Sequence, residues 1–143
     1  MNASEQAKGL ELTAKIATIV NLFKREFPDA RADLKPWHND PNTREFLDPD
    51  SIDIAFHFPG WSRRIQSRSI LVQIRFFNDA EEKHRRLIGL EMQAINFQGL
   101  AWRLSTIENW QFVGNYLPAP DAADKLKSFS RQIFDVFKHE DRS

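Results

Sequence analysis

The 143-residue sequence contains no cysteine. That absence removes disulfide scaffolds, thiolate metal sites and cysteine nucleophiles together, and it fits a reducing compartment. Glycine is scarce as well. The five glycines, Gly9, Gly60, Gly89, Gly99 and Gly114, lie far apart, so there is neither a Gly-x-x-x-x-Gly-Lys phosphate loop nor a Gly-x-Gly-x-x-Gly dinucleotide turn. No surplus of charge exists, because 20 basic residues balance 20 acidic ones. Proteins that hold long nucleic acids usually carry a basic excess, since phosphate contacts dominate their affinity. No apolar run reaches the ~18 residues of a membrane span. The polar start Met1-Asn2-Ala3-Ser4-Glu5-Gln6 lacks the basic and apolar regions of a signal peptide. These absences together lead us to expect a cytoplasmic protein with no membrane association and no cofactor.

Bulky apolar material is plentiful. Twelve Phe and four Trp supply a core, each large ring burying roughly 150–250 Å². A chain of this length is the usual size of one domain and needs no staple to fold. We therefore read residues 1–143 as a single α+β domain.

The period of the apolar residues divides the chain. Leu12, Ile16, Ile19, Val20, Phe23 and Phe27 form a stripe at helical spacing, which predicts a helix over 4–27. Gly9 weakens its first turns, so the regular part is expected to begin near Leu10. Pro28 ends it. Residues 28–50 are rich in Pro, Asp and Asn, which is turn chemistry. So long a loop predicts a short strand or helical turn inside it, with Trp37 and Phe46 pinning it to the core.

From Ile52 the period becomes two. Ile52, Ile54, Phe56 and Phe58 alternate with Asp53, Ala55 and His57, up to Pro59-Gly60. Further strands are predicted over 69–77, 86–97 and about 100–106, and residues 109–116 extend the last or form a short fifth. No connection is long enough for the crossover helix of a parallel pair, so the sheet should be antiparallel. After Pro118-Ala119-Pro120 a stripe of Leu126, Phe129, Ile133, Val136 and Phe137 predicts a helix over 121–138. The expected fold is a two-layer, four- to five-stranded antiparallel sheet over 51–116, covered on one face by the N- and C-terminal helices.

The other face of that sheet is the main candidate site. It offers Asp53 and His57, Gln73 and Arg75, Glu91 and Gln93, then Arg103 and Ser105. Opposite charges there can pair across strands as Arg75–Glu91–Arg103, leaving either a stitched, solvated face or a polar platform for a ligand or partner. Leu71, Phe77, Ile95 and Phe97 share the face, and large apolar residues in such a place imply partial cover by the 28–50 loop or another chain.

Two basic loops follow in interest. Trp61 sits among Arg63, Arg64 and Arg68, and Lys83-His84-Arg85-Arg86 closes the next connection. Arginine beside an aromatic suits single-stranded nucleic acid. Consecutive meander turns lie at opposite ends of a sheet, however, and Asp79, Glu81 and Glu82 offset the second cluster. Among the four histidines, His38-Asn39-Asp40 has too few spaced ligands for zinc. His57 beside Asp53 is a possible general base but has no nucleophile motif, and haem ligation by an imidazole rests on nothing more specific than the many Phe.

The sequence therefore favours a non-enzymatic binding or assembly module. It would act through a sheet face or edge, on a protein partner or on itself, with Trp61, Trp110 and Tyr116 as candidate anchors. The alternatives are a small-ligand pocket between the sheet and the 28–50 loop, and a nucleic-acid binder using the 60–68 loop.

Overall fold

Successive strands lie side by side in the order β1-β2-β3-β4-β5-β6, every pair antiparallel. The computed structural model describes residues 1–37, 50–79 and 84–138. The strands are β1 (Arg31–Asp33), β2 (Ser51–Ser62), β3 (Ser67–Asp79), β4 (His84–Asn96), β5 (Gly99–Ser105) and β6 (Phe112–Gly114). Helices α1 (Ala3–Gln6) and α2 (Leu10–Glu26) precede the sheet, apart from short connections, and α3 (Pro120–Val136) follows it. The fold is α+β, and the N- and C-terminal helices contact each other.

The apolar stripe of α2 meets the core face of the sheet and α3 at one aromatic junction. Phe23 stacks on Phe56 at 3.8 Å between centroids and meets Phe129 edge-on at 5.1 Å. All three rings are fully buried. Each such ring contributes on the order of 3–5 kcal/mol, judged by the cost of truncating it to alanine. At the other side of the core, buried Trp102 on β5 donates its indole Nε1–H to the Ile65 carbonyl at 2.7 Å. That bond ties the β2–β3 turn to β5.

The strand count exceeds the sequence expectation of four or five. The 28–50 segment supplies β1, which pairs Arg31, Ala32 and Asp33 with His57, Phe56 and Ala55. The 109–116 segment supplies β6, a separate strand on β5. Strand β2 does not stop at Pro59-Gly60 but runs to Ser62, with its register to β3 broken between His57 and Ser62. An unpaired stretch of that kind tolerates the missing proline N–H. The first helix is two helices, because Gly9 sits at φ +84° and separates them. Simple alternation with buried Leu90 and Met92 would put Ile88 on the core face, but it lies at a register shift in β4 and is 49% exposed. One extra residue in a strand turns its side chain off the alternating pattern. Phe46 lies outside the described residues.

Candidate functional site

The second face of the sheet can be read row by row from the strand register. One row runs Arg31–His57–Ser69–Ile95–Leu100, the next Asp33–Ala55–Leu71–Gln93–Arg103–Val113, and a third Asp53–Gln73–Glu91–Ser105. The antiparallel meander thus brings Gln73, Arg75, Glu91, Gln93 and Arg103 onto neighbouring strands, as alternation predicted.

Glu91 is the hub of the charged part. Its Oε2 accepts from Arg75 Nη2 at 3.3 Å, and its Oε1 lies 3.7 Å from Arg103 Nη2. Arg103 also donates to Glu108 Oε1 at 2.5 Å. Gln73 and Ser105 beside it are buried. Charges at this end of the face are engaged with one another.

Asp53 is buried too, beneath the start of the chain and the 34–37 segment. Its Oδ2 accepts from the Met1 amino nitrogen at 2.8 Å and from Trp37 Nε1 at 2.6 Å. Asn2 and Trp37 exchange further bonds, Trp37 N to Asn2 Oδ1 and Asn2 Nδ2 to the Trp37 carbonyl, both at 2.8 Å. Trp37 therefore covers this corner as the sequence suggested, but as a donor to Asp53 and not only as an apolar plug.

The partner of His57 is not Asp53. Its Nε2 lies 3.2 Å from Asp33 Oδ2 on β1, and its Nδ1 lies 2.7 Å from Ser69 Oγ on β3. Desolvation raises the Asp33 carboxyl pKa, but the Lys35 backbone N–H, the His57 hydrogen bond and the nearby His57 and Arg31 charges outweigh it and hold the pKa below the ordinary carboxylate value. Neither Asp33 nor Ser69 was singled out from the sequence. The 2:1 alternation puts Ser69 on this face, but its meeting with His57 depends on the irregular register of the β2–β3 hairpin.

An Asp–His–Ser chain invites a nucleophilic reading. The backbone argues otherwise. Ser69 sits within a central strand, its neighbours paired to β2 and β4, and gives its own N–H to Ser67 Oγ at 3.0 Å. A developing oxyanion needs free, convergent donors, and the Ser69 N–H is already given to Ser67. The chain links the three-residue strand β1 to β2 and β3.

The opposite end of the face is apolar. The β2–β3 and β4–β5 hairpins turn at the same end, and between them Trp61, Arg68, Ile95, Asn96 and Phe97 line an open cleft of about 610 Å³. Trp61 and Ile95 are each 50% exposed, Leu100 52% and Phe97 90%. The Tyr116 hydroxyl donates to Gln98 Oε1 at 2.7 Å and steadies the β4–β5 turn. A smaller cleft of about 180 Å³ adjoins at Ile95, lined also by Pro36, Trp37, Ala55, His57, Ser69 and Leu71.

The basic loop is not one cluster. Arg64 pairs with Asp121 at the start of α3 at 2.5 Å, while Arg63 and Arg68 are exposed with no carboxylate partner among the described residues. Arg85 stacks over the Phe76 ring at 4.2 Å. The two basic loops flank the 13-residue β3, hence about 40 Å apart. Of the other candidate anchors, Trp110 is stacked on Phe134 at 5.9 Å and belongs to the fold. His38, His139, Glu81 and Glu82 lie outside the described residues. Among the described residues no group of three or more His, Asp or Glu could hold a metal ion, and no helix is long and apolar enough to cross a membrane.

No curated protein and no solved structure matches the chain. Residues 4–139 match a family described as a domain of unknown function, and the chain belongs to that family.

Proposed function

We propose that the protein is a non-enzymatic binding module that engages a protein partner, or a second copy of itself, through the hairpin end of its second sheet face. The observation that carries this reading is the exposure of Trp61, Ile95, Phe97 and Leu100 together, on a face whose Arg75, Glu91 and Arg103 are engaged with one another. Clustered apolar surface of this kind is unfavourable in water and marks interaction sites. Tryptophan is also the residue most often found as an interface anchor.

Three magnitudes favour the face over the alternatives. Both sheet edges end in three-residue strands, and β2 beyond β1 carries Pro59, so strand addition finds little ladder to extend. Among the described residues the cleft between the sheet and the 34–37 segment, at about 180 Å³, is smaller than the ~300–1,000 Å³ of ordinary small-molecule sites, whereas the hairpin-end cleft, at about 610 Å³, lies within that range but is open and lined mainly by exposed apolar side chains. In the 60–68 loop the two arginines without a carboxylate partner among the described residues, Arg63 and Arg68, fall short of the several phosphate contacts that hold nucleic acid.

The test compares the wild-type chain with Phe97→Asp. Exposed substitutions usually change stability by within about 0.5 kcal/mol, so the variant should fold normally. Light scattering at micromolar concentration should show self-association that the variant loses; otherwise, affinity capture should retain a partner that the variant releases. A monomer whose captured proteins are the same with and without Phe97→Asp would contradict the proposal.

A further inference from the structure

We infer that the segment received at the hairpin end is acidic, an apolar anchor flanked by carboxylates; this rests on the binding-module reading above and names the chemistry of its partner. The argument is one of charge. Between Asp53 and Asp79 the chain has no acidic residue, and none lies between Glu91 and Glu108. Both hairpins that frame the 610 Å³ cleft fall inside those stretches. Among the described residues the cleft thus carries positive charge with nothing of opposite sign on its walls.

The cations are placed to use it. Arg68 lines the cleft beside Trp61 and Phe97, and Arg63 stands exposed in the turn between β2 and β3. Arg64, their neighbour, is already spent on Asp121, so it contributes little net charge. Asn96, whose Oδ1 accepts from the Gln98 backbone N–H, lines the same wall. The floor is apolar: Trp61, Ile95 and Phe97 can cover an aromatic or branched side chain. A guanidinium beside aromatic rings is suited to a carboxylate that follows such an anchor, since it can grip the anion bidentately while its plane lies on a ring. Complementary charge of this sort selects partners and speeds encounter more than it adds affinity. Nucleic acid would satisfy the cations too, but the remaining basic loop is at the far end of β3 and one of its arginines, Arg85, is committed to Phe76.

The experiment is a selection of random displayed peptides on the full chain, repeated on Arg68→Glu and Phe97→Asp. Wild type should enrich sequences with an aromatic or aliphatic residue between Asp and Glu. Exchanging those acids for Gln in a synthesised winner should weaken binding by about fivefold at low salt, and less at high salt. Arg68→Glu should shift the enriched flanks from acidic to basic, a change that a merely structural role for Arg68 would not produce. Enrichment without acidic bias, the same bias on Arg68→Glu, no enrichment at all, or tighter binding of a single-stranded oligothymidylate would overturn the inference. If the acidic bias fails while Phe97→Asp still abolishes association, only the partner's charge is wrong. If Phe97→Asp changes nothing, the binding-module reading falls as well.

Discussion

Replacing Glu91 by Gln tests whether the charged half of the second face is committed to the fold. The substitution keeps the shape and removes the charge shared by Arg75 and Arg103. The two contacts, at 3.3 and 3.7 Å, are longer than the ~2.7–2.9 Å of strong charge-assisted hydrogen bonds. The guanidinium side chains are 31% and 37% exposed. Both facts put each pair near the exposed-pair scale, about 0.5 kcal/mol, and the two together near about 1 kcal/mol. For a chain of 143 residues that lowers Tm by about 3 °C. Thermal unfolding followed by circular dichroism at low salt should show this shift. In about 1 M salt, where the screening length is ~3 Å, the difference should shrink to less than half. Glu91→Lys, which turns both attractions into repulsions, should cost about twice as much. An unchanged or raised Tm for Glu91→Gln at low salt would refute the reasoning. The face would then hold charges that the fold does not use, and the case for a polar platform there would reopen.

Three further outcomes are expected. Phe23→Ala empties the junction of α2, β2 and α3 and should destabilise by about 3–5 kcal/mol, measured by urea unfolding. Asp33→Asn should flatten the acid limb of the stability curve. A carboxyl whose folded pKa lies below its ordinary 3.8 stabilises above that value, and the contribution is lost as pH falls through the folded pKa. Urea midpoints between about pH 6 and 2 should therefore decline less in the variant. Gly114→Ala should detach β6: an added Cβ would stand 2.2 Å from the Ala101 carbonyl oxygen, at a backbone φ of +155°. Hydrogen exchange should quicken over Phe112–Gly114 while the β2–β4 ladder keeps its protection.

Much of the architecture was written in local periodicity. Alternation placed Asp53, Gln73, Arg75, Glu91, Gln93 and Arg103 on one face, and short connections forced antiparallel neighbours, so the Arg75–Glu91–Arg103 stitch was legible before any coordinates. Period also located both long helices, because a stripe at three- and four-residue spacing buries only as a helix. What periodicity does not carry is register across irregular turns. Between His57 and Ser62 the β2–β3 pairing shifts, and that shift sets which residue stands opposite His57. Strands of three residues, such as β1 and β6, are too short to show a period at all.

The sequence alone decided which residues are apolar, which face of each strand they take, and that cysteine, glycine-loop and charge-surplus chemistry are absent. Tertiary structure alone decided that Asp33 and Ser69 flank His57, that Arg64 is drawn off to Asp121, and that Trp61 and Phe97 open onto one cleft. The physical reason is range. Face and period are properties of neighbours within one element, whereas these meetings join residues from different strands and helices and depend on how the strands register and pack.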